Sequence, residues 1–239
     1  MITPRHVIFC AHFNFFVPAN SKIYFVADDG TVTERTVVRT KRHPNFNSPF
    51  RFNNDLVIGV LDADVPSSIK AVKFLPDDWG DYLMRDLPTP SLRLNQHEEA
   101  LVGDFFVGSV GMERASHLKP IEEDRLNFYL SLAAPTQTGL YGGDSGNGGF
   151  LIIDSQLVLT TVWTYGGPGA GTSVTNEKNF INAMIAELDT EVRQVSNHSI
   201  EEIDLTRFMQ LDDIPPEFRP ISTPDPIVID ESDYPLLEE

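Results

Sequence analysis

The sequence predicts an all-β body closed by one amphipathic helix, and three observations carry that expectation. Its apolar segments are short, bounded by Gly, Pro, Asn or Asp, and enriched in β-branched and aromatic residues, a pattern that suits strands. A single stretch, residues 176–188, places Phe180, Ile181, Met184, Ile185 and Leu188 on one helical face. The chain of 239 residues is 41% hydrophobic and 10% aromatic, enough for one large or two small packed domains and far from disordered compositions.

Taken in order, residues 23–27 lead into Asp28, Asp29 and Gly30 and then into the Thr- and Val-rich residues 31–39, which is a hairpin signal. Further strands are expected at 56–61, 101–110, 126–132, 149–153 and 157–163. Thr175 or Asn176 is placed to cap the helix. Between residues 62 and 100 the pattern weakens, with Pro66, Pro76, Pro88 and Pro90 interrupting it, and this reads as a connection between two β units. The expected organisation is a first β unit at 1–75, a second with the closing helix at 76–195, and an acidic tail at 196–239. That tail holds 12 Asp and Glu against only Arg207 and Arg219, hence −10 of the chain's formal −17, and six prolines. A disordered or loosely docked extension is expected there, with a short helical turn open to residues 203–211.

The charge balance excludes some classes of function. With 18 Lys and Arg against 35 Asp and Glu, the surface would repel phosphate backbones and anionic lipid, so no nucleic-acid role is expected. No stretch approaches the roughly 18 to 20 apolar residues that span a bilayer, so no membrane insertion is expected. Cys10 is the single cysteine, which rules out an intramolecular disulfide framework. Residues 1–16 show no basic segment followed by an apolar core and a cleavage site.

Three segments carry residues suited to chemistry. The run Tyr141-Gly142-Gly143-Asp144-Ser145-Gly146-Asn147-Gly148-Gly149 sets a serine among glycines, which permit close backbone approach and N–H groups aimed at one point. Its plain alternative is a glycine-rich turn between strands. A serine nucleophile needs a base. Thr3-Pro4-Arg5-His6-Val7-Ile8-Phe9-Cys10-Ala11-His12 places a histidine at the end of an apolar strand, and Asn53-Asn54-Asp55-Leu56 places an aspartate at the head of another. Singly, His12 reads equally as a hydrogen-bonded core histidine and Asp55 as a turn residue. His6, His43, His97, His117 and His198 lack a comparable context, and no spacing of histidines or carboxylates suggests a metal site, so neither metal nor cofactor is expected.

Together these segments resemble the trypsin-like (chymotrypsin-fold) serine protease family over most of residues 2–188. The Thr-Pro-Arg-His-Val and Cys-Ala-His stretches are similar to the family's histidine segment, Asn54-Asp55-Leu56 to its aspartate segment, and Gly143-Asp144-Ser145-Gly146 to its serine segment. They follow in family order, 43 residues from His12 to Asp55 and 90 from Asp55 to Ser145. His43-Pro44-Asn45-Phe46-Asn47 and Val107-Gly108-Ser109-Val110-Gly111 add supporting matches.

The resemblance implies two antiparallel six-stranded β-barrels with a C-terminal amphipathic helix, the first barrel incomplete because His12 stands only eleven residues after Met1. A partner or a further segment would complete that barrel. It implies a serine endopeptidase in which Ser145 attacks a peptide carbonyl, His12 transfers its proton and Asp55 orients His12. The N–H groups of Gly143 and Ser145 would form the oxyanion hole. Gly139 would lie at the floor of the substrate pocket, and Trp163, Gly166 and Gly167 along its wall, a lining without a carboxylate that favours an apolar or small side chain over Lys or Arg. The partner expected is a protein or peptide substrate. In many family members the aspartate before the serine pairs with a newly made amino terminus, and here that position is Asp144. Asn147-Gly148 and Phe13 depart from the family pattern, and a non-catalytic or zymogen-like member acting as a protein-binding module is the alternative. Family members are mostly secreted or periplasmic; the sequence itself leaves the compartment open.

Overall fold

The computed structural model describes residues 1–12, 19–46, 54–82, 89–94, 96, 100–107, 117–120, 143–165, 170–193 and 197–218. Among the described residues, two antiparallel sheets, one α-helix and three short 3-10 turns make up the regular structure. The first sheet contains β1 (His6–Phe9), β2 (Lys22–Val26), β3 (Val32–Arg42) and β4 (Val57–Leu61), ordered β1-β4-β3-β2. The second contains β5 (Thr89–Leu94), β6 (Ala100–Val107), β7 (His117–Pro120), β8 (Gly148–Ile153), β9 (Gln156–Tyr165) and β10 (Ala170–Ser173). It closes on itself in the order β10-β7-β6-β5-β8-β9. Helix α1 (Lys178–Glu191) follows.

Local chemistry explains the turns. At the β2–β3 hairpin, Gly30 takes φ +82° and Thr31 N–H donates to Asp29 Oδ1 at 2.9 Å, as the Asp-Asp-Gly signal predicts. At the β8–β9 hairpin, Asp154 and Ser155 both take positive φ, 53° and 59°, the pair of conformations that lets a two-residue loop match the twist of its strands.

β4 is buried on both faces, which its unbroken Val-Ile-Gly-Val-Leu sequence requires. A Cβ at Gly59 would lie 3.2 Å from both Val37 Cγ1 and Val7 Cγ2, so its neighbouring strands pack tightly over it. The first sheet is a half-barrel: β1 and β2 are its free edges among the described residues. A cavity of about 600 Å³ separates them, lined by Met1, Val7, Ile8 and Phe9 on one side and Ser21, Lys22, Ile23 and Phe25 on the other.

Helix α1 packs on β3 and β4. Its buried residues Ile181, Met184, Ile185 and Leu188 join Leu56, Ile58 and Val60 of the half-barrel side and Phe150, Leu159 and Val162 of the barrel in one core. Its N-cap position falls to Glu177, just beyond the expected Thr175 or Asn176, and the Glu177 carboxylate turns to the buried His43 at 3.1 Å instead of capping the helix.

One expectation is corrected, and one left open is decided. Within 62–100, read as a connection, residues 89–94 form β5 despite Pro90. Pro90 pairs with Asp104 of β6, whereas the pairing of β5 with β8 involves only Leu92 and Arg93, so the missing N–H falls outside the doubly paired part of the strand. Of the two alternatives for the stretch after residue 196, disordered or loosely docked, the described residues show docking on the body. Ile200, Ile203 and Leu205 are buried, and Phe74 exchanges backbone hydrogen bonds of 2.9 Å with Glu201 and Ile203. Three apolar side chains spaced along an acidic segment outweigh its charge once a groove of Leu75, Trp79, Leu151 and Val158 receives two of them. The expected strand at 126–132 and residues 219–239 lie outside the described residues.

Candidate active site

Asn54 turns the chain into the site. It takes φ +65°, tolerable for asparagine, and Leu56 N–H donates to its carbonyl at 2.8 Å, a three-residue turn centred on Asp55 at the head of β4. The Asp55 side chain is 1% exposed, and its carboxylate accepts twice from His12: from the backbone N–H at 2.9 Å and from Nδ1 at 2.6 Å. A buried carboxylate requires such donors. Asp55 N–H in turn donates to Thr172 Oγ1 of β10 at 3.2 Å, tying the half-barrel's site residue to the barrel. With Nδ1 held by the carboxylate, Nε2 of His12 is the nitrogen left for proton transfer, and its ring keeps 22% exposure.

Ser145 sits at the second position of a tight turn. Asn147 N–H donates to Asp144 O at 3.0 Å, and Gly146, at the third position, takes φ +88°, the conformation that selects glycine in a type II turn. The turn is anchored to β9 by Gly146 N–H to Trp163 O and Trp163 N–H to Asn147 O, both 2.9 Å. It abuts the histidine segment: a Cβ at Gly146 would lie 3.5 Å from both the backbone N and Sγ of Cys10. Gly143 takes φ +99°, and a side chain there would run into the Gln96 carboxamide. Among the described residues neither Gly143 N–H nor Ser145 N–H donates to a backbone carbonyl.

The expected site residues are therefore placed as follows. His12 and Asp55 form a bonded pair. Ser145 Oγ is buried without a hydrogen-bond partner, so it shares no bond with His12, and Cys10 Sγ lies 3.8 Å from His12 Nε2. Trp163 is 2% exposed with its ring against Gly149, a core position. Gly139, Gly166 and Gly167 lie outside the described residues.

Four features escaped the sequence. Asp144 is fully buried and accepts from Gln96 N–H at 2.8 Å, a partner supplied from within the chain. Thr172 and Cys10 join the surroundings of the His12–Asp55 pair; of these only Cys10, two residues from His12, was adjacent in sequence. The donor atoms of Cys10, His12 and Asp55 lie within 4.8 Å of one another, a set able to hold a metal ion. A second such set, His6, Asp189 and His198, lies away from the serine turn. Among the described residues no helix is long and apolar enough to cross a membrane.

No protein-family model matches the chain, and no curated protein matches it.

Proposed function

We propose that the chain is a serine endopeptidase of the trypsin-like, chymotrypsin-fold type, acting through His12, Asp55 and Ser145 without a cofactor. The observation that carries this reading is the His12–Asp55 pair: a buried carboxylate bonded at 2.6 Å to Nδ1, which leaves Nε2 as the base. The glycine-flanked turn supplies the rest. Ser145 Oγ would attack the peptide carbonyl carbon as its proton passes to His12 Nε2. Collapse of the tetrahedral intermediate would break the C–N bond, with that proton delivered to the leaving amine, and water would hydrolyse the acyl-enzyme by the same steps. Gly143 and Ser145 N–H groups would stabilise the oxyanion, each contributing on the order of 3 kcal/mol.

The second reading, a non-catalytic or zymogen-like member that binds protein, is favoured by one observation: Ser145 Oγ makes no bond to His12, and Cys10 Sγ faces Nε2. A fluorophosphonate probe with intact-mass readout separates the two. A stoichiometric adduct absent from Ser145→Ala is expected for the endopeptidase. No adduct on folded protein overturns that reading and leaves the binding module.

A further inference from the structure

His6 begins β1, Asp189 lies in the last turn of α1, and His198 follows the helix, yet their side chains meet at one buried point. Asp189 Oδ1 lies 3.5 Å from His6 Nε2, and its carboxylate lies 3.0–3.2 Å from His198 Nδ1. One donor atom from each residue falls within 4.8 Å of the other two. A tetrahedral ion with bonds of 2.0–2.1 Å sets its ligand atoms ~3.3 Å apart, the spacing these pairs already have.

Three features mark this as a cation's surroundings. Asp189 is 3% exposed and sits where a helix end concentrates carbonyl oxygens, with no basic side chain in that last turn, and its carboxylate also accepts from His198 N–H at 3.1 Å. The fully buried His6 places Nε2 towards Asp189 without a hydrogen-bond partner, while its Nδ1 is held by Thr3 Oγ1 at 2.8 Å. That is how metal-binding histidines are oriented: one nitrogen fixed by a neighbour, the other free to coordinate. His198 presents Nδ1 to the same carboxylate at 3.0–3.2 Å, while its Nε2 lies 3.7 Å from the Asp64 carboxylate, beyond hydrogen-bond distance.

We propose that His6, Asp189 and His198 bind a divalent transition-metal ion, Zn²⁺ fitting best, which fastens the half-barrel's edge strand β1 to the end of helix α1. Two imidazoles and a carboxylate, without thiolate, suit Zn²⁺ better than Mg²⁺ or Ca²⁺, and a water would complete the set. The proposal is independent of the endopeptidase reading.

The test takes the full chain stripped with a chelator and titrates it with Zn²⁺. One equivalent is expected to bind and to raise the melting temperature by ~5–10 °C when free Zn²⁺ reaches about a hundredfold its Kd. His198→Ala is expected to abolish both effects, with circular dichroism showing that the variant stays folded. Co²⁺ replacing Zn²⁺ identifies the ligands without any variant. The proposed set gives visible d–d bands and no thiolate-to-cobalt charge transfer, whereas occupation of the Cys10, His12 and Asp55 set gives that charge-transfer band and is lost in Cys10→Ser. Folded protein that binds no Zn²⁺ overturns the proposal, as does binding that shows the thiolate band and survives His198→Ala.

Discussion

The closed barrel and the half-barrel meet the same difficulty, unpaired strand edges, by different means. The barrel removes its edges, since β10 pairs with both β7 and β9. The half-barrel keeps two, β1 and β2, while α1 packs on its inner strands β3 and β4 and the core beneath is shared with the barrel. The proposed catalytic residues divide along the same line. Asp55 and His12 belong to the half-barrel side and Ser145 to a turn of the barrel, with the Asp55–Thr172 bond joining the two. The proposed nucleophile thus stands on a closed frame, while the proposed acid–base pair stands on an open one.

The largest effect that would sharpen this contrast is at Asp55. Asp55→Asn keeps the size of the side chain but removes the charge that orients His12, and should slow fluorophosphonate labelling by roughly 10⁴-fold, about 5.5 kcal/mol. A rate within tenfold of the parent would break the assignment of the pair to catalysis.

Core deletions come next. Ile185→Ala, beneath the half-barrel, and Ile203→Ala, in the docked segment against the barrel, should each cost about 3 kcal/mol in urea unfolding. Under conditions where both variants stay folded, only Ile185→Ala should also slow labelling, because only it lies in the core that includes Leu56 beside Asp55. Equal slowing by both would erase the distinction between the halves.

The smallest effect is expected at the turn. Gly146→Ala forces a Cβ into φ +88° while leaving ordinary van der Waals room, so it should cost about 1–2 kcal/mol of stability, read from the urea midpoint, with slower labelling. An unchanged midpoint would mean that the turn relaxes freely and that glycine there serves no conformational need.

Much of the frame was legible because it is local. The Asp28-Asp29-Gly30 turn, the alternating strands and the face of α1 depend on neighbours two to four residues apart, and they lie close to where the sequence puts them. β5 was hidden because a proline breaks a strand pattern unless one side of the strand is unpaired at that point, which only the sheet order reveals. The docking of Ile200, Ile203 and Leu205 was hidden because their acidic surroundings dominate the composition, and burial is set by the groove that receives them.

By itself, the sequence determined the β character, the helix at 178–191 and the order of the histidine, aspartate and serine segments, since periodicity and turn chemistry act over a few residues. Only the tertiary structure decided that Asp144 finds Gln96, that Cys10 faces His12, and that His6, Asp189 and His198 converge. Those contacts join residues from 2 to 192 positions apart, and their geometry follows from strand register and helix docking, which no local pattern encodes.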